Sequence, residues 1–110
     1  MRAGLFISFL FFMVGVRAQR VYSVQYASQA DVKVFVVAHK SMADLTVYKA
    51  KYPSTTNKNN GRWFFADYIG QADKKIFFVE YASQADLKIF FVPYESMAGW
   101  RNKSKQALMY

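Results

Sequence analysis

The sequence contains few of the Cys and His side chains that most often support nucleophilic catalysis or zinc binding. A Ser–His–acid arrangement is formally possible, but it would depend on one His that occupies a repeated position. The chain of 110 residues has no Cys and one His, His39. Nucleophilic catalysis needs a nucleophile beside a positioned base, and zinc sites need several Cys or His ligands close together. The chain also lacks a glycine-rich motif of the kind that binds phosphates. We therefore expect no catalytic residue, metal site, cofactor or small-molecule substrate.

Carboxylates are the remaining candidates for acid and base chemistry. The chain has seven acidic residues, and four of them recur at regular intervals, namely Asp31, Asp44, Asp73 and Asp86. Two carboxylates could hydrolyse a glycosidic bond, but a catalytic pair should break a repeat rather than follow it. A calcium site needs about six to eight converging oxygens, and one Asp in each unit does not indicate such a cluster. We interpret these Asp residues as caps of turns, and a carboxylate-dependent hydrolase is the remotest alternative.

Positive charge combined with aromatic residues suggests a binding surface. The net charge is +8, and a basic surface attracts anionic polymers such as polysaccharide or nucleic acid. The candidate partner-binding residues form a cluster near the C-terminus, Trp100, Arg101, Lys103 and Lys105. The alternative, which we prefer, is that this tail covers an exposed strand edge, with Trp100 and Met109 packed inward.

The N-terminus resembles a secretory signal peptide. Arg2 precedes an apolar stretch over residues 3–16, and Val16-Arg17-Ala18 forms a small-residue cleavage site. A membrane-spanning helix needs about 20 apolar residues, so we expect cleavage after Ala18 and no stable membrane anchor. The expected organisation is a signal peptide over residues 1–18 and one domain over residues 19–110, secreted or periplasmic. Loss of Arg2 and Arg17 would lower the net charge to +6.

An internal repeat is the strongest feature of the sequence. Six related tetrapeptides are separated by intervals of 13, 13, 16, 13 and 13 residues. They are Ser28-Gln29-Ala30-Asp31, Ser41-Met42-Ala43-Asp44, Ser54-Thr55-Thr56-Asn57, Gly70-Gln71-Ala72-Asp73, Ser83-Gln84-Ala85-Asp86 and Ser96-Met97-Ala98-Gly99. Ser and Asp at these positions favour a tight turn or one helical turn. The three extra residues fall in a polar loop over residues 53–61.

The segments between these turns have the alternation of β-strands. In each unit an aromatic residue is followed two positions later by a small apolar residue, and two later again by Tyr or His39. Alternate residues of a strand share a face, so we predict that this face lines the core and that His39 replaces a core tyrosine. The last three strands look apolar on both faces and should lie near the centre of the sheet. The prediction is an all-β fold of six short strands.

The repeat and the tail together resemble the bacterial septoil-knot family. The resemblance rests on units of the form Tyr-x-Ser-Gln-Ala-Asp, on the segment 99–105 (GWRNKSK) and on the ending Leu108-Met109-Tyr110. It implies a chain that forms a seven-crossing torus knot, and it implies no particular activity. The sequence departs from the pattern at His39, Met42, Ser54-Thr55-Thr56-Asn57, Gly70 and Met97.

The resulting functional hypothesis is a non-enzymatic, exported binding or structural protein of high kinetic stability. Export without disulfides requires another source of stability, and slow unfolding would provide it. The alternative is a basic module that binds an anionic polymer. An envelope protein is the other partner that we consider.

Overall fold

The computed structural model describes residues 19–52 and 59–110. The predicted signal peptide, most of the 53–61 loop and the third tetrapeptide therefore lie outside the described residues. Seven strands are present in this part of the chain: β1 (Gln19–Ser23), β2 (Val32–Val36), β3 (Leu45–Lys49), β4 (Arg62–Phe65), β5 (Lys74–Phe78), β6 (Leu87–Val92) and β7 (Gly99–Trp100). The only other regular elements described are short 3-10 helices, none of which is long and apolar enough to cross a membrane.

The strands form a closed parallel barrel, which confirms the all-β prediction. The order around the barrel is β4-β1-β5-β2-β6-β3, and β3 also pairs with β4, so the sheet closes on itself. All six of these strands are parallel to their neighbours. β7 is antiparallel and pairs with the first half of β3. Closure removes the exposed edges that an open sheet would leave.

The path of the chain around the barrel explains the order of the strands. From β1 to β2 to β3 the chain advances two places at each step and leaves one place empty. The connection after β3, which contains the longer loop, advances the chain by a single place to β4. β5 and β6 then follow in steps of two and fill the remaining places. Strands of the second half therefore alternate with strands of the first half, and the predicted central position of β4, β5 and β6 is wrong.

Each step of two places carries the chain across the strand that lies between. One-turn 3-10 helices make these crossings at Ala27–Gln29, Lys40–Met42, Ile69–Gln71, Ala82–Gln84 and Glu95–Met97. Each helix contacts the strand that it crosses, which always belongs to the other half of the chain. The Ala that follows each helix is buried or half-buried. A small side chain at this point allows the crossing segment to lie close to the strand below.

The repeated Asp residues link the two halves, and the prediction that they cap their own turns is wrong. The Asp31 N–H donates to the Lys75 carbonyl at 2.7 Å, and the Asp31 carboxylate accepts the Lys75 N–H at 2.9 Å. The same reciprocal pair of bonds, which we call an Asp clamp, recurs three more times. The other clamps join Asp44 to Lys88, Asp73 to Arg20 and Asp86 to Lys33. Each clamp connects residues 44 or 53 positions apart in the sequence.

Asp86→Ala should lower the free energy of unfolding by about 1 kcal/mol, because the Lys33 N–H loses its carboxylate acceptor. Asp86→Asn retains an acceptor oxygen and should cost less. Urea unfolding followed by circular dichroism measures both changes. Glu80→Ala is the matched control, since Glu80 is an exposed acid that is not part of a clamp. Equal effects of Asp86→Ala and Glu80→Ala would contradict the role assigned to the clamp.

The register places equivalent residues of the six units at the same level of the barrel. Val21 and Ile76 occupy the same position of the repeat, but Val21 pairs with Lys74 and Ser23 pairs with Ile76. Each strand is therefore shifted by two residues relative to its neighbour. Stepping around the barrel in this way produces a central layer with one inward residue from each strand. Its members are Val21, Ile76, Val34, Ile89, Val47 and Trp63, and all are fully buried.

The inward face is the opposite of the predicted one. The residues expected to line the core are half-buried at the aromatic position (Tyr22, Phe35, Tyr48, Phe64, Phe77, Phe90) and exposed at the tyrosine position. The described tyrosines there are 63–70% exposed, and His39 is exposed as well. The interior of a narrow barrel is filled by inward side chains, so aliphatic residues occupy it on five strands. Only the small apolar position of the predicted face is largely buried.

The C-terminal tail closes one end of the barrel. A 3-10 helix, Lys103–Met109, brings Met109 into the core cluster that also contains Val32, Leu45 and Leu87, the first residues of their strands. The side-chain amide of Gln19, also fully buried, donates a hydrogen bond to the Met109 carbonyl. The Trp100 indole donates to Asn59 at 3.0 Å, and the Asn59 amide donates to the Gln106 carbonyl at 2.8 Å. The tail is thus fixed to both halves of the chain.

Gly61→Ala should lower the free energy of unfolding by about 2–3 kcal/mol, because Gly61 has φ of +86° and no room for a side chain. A Cβ at this position would lie 2.5 Å from the Thr46 carbonyl oxygen and 2.9 Å from the Gly99 nitrogen. Chemical denaturation measures the loss. Gly70→Ala is the control, since nothing lies within 4 Å of its added Cβ and it should change stability by less than about 1 kcal/mol. The prediction fails if the two variants are equally stable.

Candidate functional site

The outer face of the barrel carries a repeated pairing of cations and aromatic rings. In five of the six units a basic residue stands two positions before the aromatic residue, so both side chains share the outward face. The strand register then sets each aromatic residue opposite a basic residue of the adjacent strand. These pairs, which we call the outer belt, are Phe64 with Arg20, Tyr22 with Lys75, Phe77 with Lys33, Phe35 with Lys88 and Tyr48 with Arg62.

The outer belt is interrupted where the C-terminal strand covers the barrel. The sixth aromatic residue, Phe90, lies opposite Thr46 instead of a basic residue. Thr46 is buried, pairs with Gly99 of β7 and donates from its hydroxyl toward the Met97 and Gly99 carbonyls. A charged side chain would be desolvated at this position. The sequence therefore lacks a cation only where the fold leaves no room for one.

Two grooves of the outer belt have the same composition. The first has a volume of about 250 Å³ and is lined by Arg20, Phe64, Ala66, Asp67 and Gln71. The second has a volume of about 370 Å³ and is lined by Lys33, Phe77, Val79, Gln84 and Ala27. Each groove therefore combines a cation, an aromatic ring, a small apolar residue and a glutamine of the neighbouring 3-10 helix. The first groove also has a carboxylate, Asp67, at its wall.

The equivalent groove beside β3 differs in charge. It has a volume of about 190 Å³ and is lined by Tyr48, Ala50, Lys51, Tyr52 and Glu95. The belt cation of this pair, Arg62, forms an ion pair with Glu95 at 3.6 Å. Elsewhere in the described residues no ion pair involves a belt cation. Only the second groove therefore has a cation and no carboxylate in its lining, since Asp67 lies in the first groove and Glu95 lies beside Lys51 in the third.

The end of the barrel opposite the tail is lined by three phenylalanines and a lysine. Phe65, Phe78 and Phe91 follow the central layer on β4, β5 and β6 and are half-buried. Phe65 and Phe78 stack with ring centroids 6.5 Å apart. The Lys49 ammonium lies 4.8 Å from the Phe91 centroid and 5.5 Å from the Phe65 centroid. These contacts are favourable cation–π interactions, and Lys49 itself remains exposed.

The four predicted partner-binding residues differ in how much of each side chain is free. The Trp100 indole is half-buried and bonded to Asn59, and the Lys105 ammonium donates to the Asp86 carbonyl at 3.1 Å. Arg101 and Lys103 are exposed. The structure thus places the first two in the packing of the tail and the last two at the surface.

The sequence analysis missed the outer belt, although Lys33, Lys75 and Lys88 stand at one position of the repeat. The missing signal was the spacing of two between each basic residue and the following aromatic residue, which puts both on one face. Arg20 and Arg62 complete this series. The aromatic residues were assigned to the core, so their proximity to the cations was overlooked.

The described residues contain no group of three or more side chains that could hold a metal ion. The four repeated carboxylates are bonded to backbone N–H groups in the clamps, and His39 stands alone at the start of an exposed 3-10 helix.

Comparison with protein families identifies the barrel. The model of the 7(1) septoil knot domain family matches residues 18–101, more than half of the chain. This match covers the repeated units and confirms the resemblance to the family. No curated protein and no solved structure matches the sequence.

Proposed function

Since the chain belongs to the 7(1) septoil knot domain family, we propose that it is a non-enzymatic, exported binding protein whose knotted backbone unfolds very slowly. The observation that carries this proposal is the alternation of the two halves around the barrel. Each crossing helix passes over a strand of the other half, and four Asp clamps join the halves. A seven-crossing torus knot is the backbone path that we infer from these crossings.

The order of the crossings gives a physical reason for slow unfolding. A strand cannot leave the barrel until the segments that cross it have moved, so many contacts must break together. Unfolding rates depend on the interactions lost before the transition state. Slow unfolding would protect a protein without Cys from proteases outside the cell, because the rate at which folded protein is irreversibly lost depends on its unfolding rate.

A nicked variant tests the contribution of the winding. A protease site inserted within residues 53–58 and cut after folding separates the two halves covalently and leaves the described contacts in place. We expect the intact protein to unfold in concentrated guanidinium at least roughly tenfold more slowly than the nicked protein. The same insertion left uncut is the control. Equal unfolding rates would show that continuous winding adds nothing to kinetic stability.

The second candidate function, binding of an anionic polymer, is favoured by the outer belt. Five cations surround the barrel at regular positions, and four of them form no ion pair among the described residues. Together with the net charge of +6 that would remain after loss of Arg2 and Arg17, this arrangement attracts polyanions from several directions. Export and the identity of the polymer are parts of this proposal.

Salt dependence tests this second function. Binding to heparin or polygalacturonate should weaken steeply between about 50 and 200 mM salt, because bound polyanions release counterions when cations replace them. Replacement of Lys33, Lys75 and Lys88 together by Gln should reduce both the affinity and the salt slope. Lys40→Gln is the control, since Lys40 is exposed on a 3-10 helix outside the outer belt. Binding that does not change with salt would exclude this function.

A further inference from the structure

We propose that the two matching grooves of the outer belt each bind one acidic sugar residue, so that the barrel holds an acidic polysaccharide at several points. This inference rests on the second proposed function and names the polymer and the subsites. The grooves are those of Arg20 with Phe64 and Gln71, and of Lys33 with Phe77 and Gln84.

The composition of the grooves matches the three kinds of surface on a uronic acid. The C–H face of a sugar ring is apolar, and the Phe ring beside Ala66 or Val79 offers an apolar surface of similar width. Sugar hydroxyls need both donors and acceptors, and a Gln amide supplies both. The sugar carboxylate would pair with the single cation through charge-assisted hydrogen bonds. Each groove holds one of each feature, at equivalent positions of two units.

The size and the free donors of the grooves agree with this assignment. Pockets for drug-sized ligands have volumes of about 300–1,000 Å³, so grooves of about 250 and 370 Å³ suit one sugar residue. The Arg20 Nε–H is buried and has no acceptor among the described residues. A small movement of the guanidinium toward a bound carboxylate would satisfy it.

The same features favour a polysaccharide over a nucleic acid. Proteins that bind single strands present exposed ring faces on which bases stack, with a continuous basic track for the phosphates. Each of these grooves has one cation rather than a continuous basic track. Because equivalent grooves lie two strands apart around the barrel, a repeating polymer with regularly spaced carboxylates is the ligand that we infer.

Binding of short oligogalacturonates, measured by isothermal titration calorimetry at constant low salt, tests the proposal. Gln84→Ala should weaken binding by about 3- to 10-fold, the usual effect of one hydrogen bond. Phe77→Leu, which keeps the site apolar, should produce a similar loss, and Lys33→Gln a larger one. Gln25→Ala is the matched control, because Gln25 is exposed and does not line either groove. Asp67→Asn should strengthen binding by removing a like charge from the first groove.

Each result decides a separate question. Retained oligogalacturonate binding with losses only from Lys33→Gln would overturn the grooves as sugar sites and leave general polyanion binding intact. Absence of binding to oligogalacturonate, heparin and single-stranded DNA alike would overturn both proposals. Tighter binding to oligothymidylate than to an oligogalacturonate of equal charge would assign the belt to nucleic acid instead. Circular dichroism of each variant shows that a loss does not arise from unfolding.

Discussion

Trp63→Ala is expected to lower the free energy of unfolding by about 3–5 kcal/mol, the range for removing a large buried aromatic side chain. Trp63 is fully buried in the central layer, where every other member is Val or Ile. It also contacts Phe65 edge to face, with centroids 6.3 Å apart. Since a domain of this size has a total stability of about 5–15 kcal/mol, the variant should lose a large fraction of its stability. Urea titration followed by the fluorescence of Trp100 measures the change.

Trp63→Phe separates the loss of volume from the loss of the indole N–H. The Trp63 Nε1–H is buried and has no acceptor among the described residues, so its removal relieves an unsatisfied donor. We therefore expect Trp63→Phe to cost much less than Trp63→Ala. Similar losses for both substitutions would mean that the indole N–H has a partner that stabilises the protein.

Met109→Ala should cost about 2–5 kcal/mol, because it leaves a cavity at the end of the barrel that the tail closes. Met109 is 0% exposed and belongs to the core cluster, although it lies one residue from the C-terminus. Thermal unfolding followed by circular dichroism measures the effect. A chain terminus usually contributes little to stability, so a large effect here would be specific to this closure.

Tyr110→Ala is the control for this experiment. Tyr110 is the adjacent residue and is 75% exposed, so its truncation should change stability by less than about 0.5 kcal/mol. A stable Met109→Ala variant, indistinguishable from Tyr110→Ala, would contradict the closure of the barrel by the tail.

The sequence alone was sufficient to predict an all-β fold, because the alternation of side chains with period two is local information. It did not predict the short strand β7, which lies in the segment that was taken for the tail. It could not show which face of each strand points inward. In β5, for example, Ile76 and Phe77 are both apolar, so hydrophobicity does not separate the faces. The choice depends on the diameter of the closed barrel, and that diameter follows from pairings between residues far apart in the sequence.

The roles of the repeated Asp residues were also beyond local reasoning. An Asp before a strand usually accepts hydrogen bonds from nearby backbone N–H groups. The carboxylate does accept a backbone N–H here, as expected. The donor of the Asp31 clamp is nevertheless Lys75, in the other half of the chain. The candidate site was hidden for the same reason, since Phe77 and Lys33 become neighbours only through the register of β5 and β2.

The steps of two places around a ring of six have a consequence for how such a protein can change in length. Three strands complete one circuit of the barrel. The single-place step after β3 shifts the second circuit, so that β4, β5 and β6 occupy the empty places. Deletion of one 13-residue unit would leave a gap between two strands. Insertion of one unit would bring an additional strand to a place that is already filled. β7 shows this situation, because it pairs with the same edge of β3 as β4 does. Relatives of this protein should therefore vary in the loop after β3, and their number of units should stay constant.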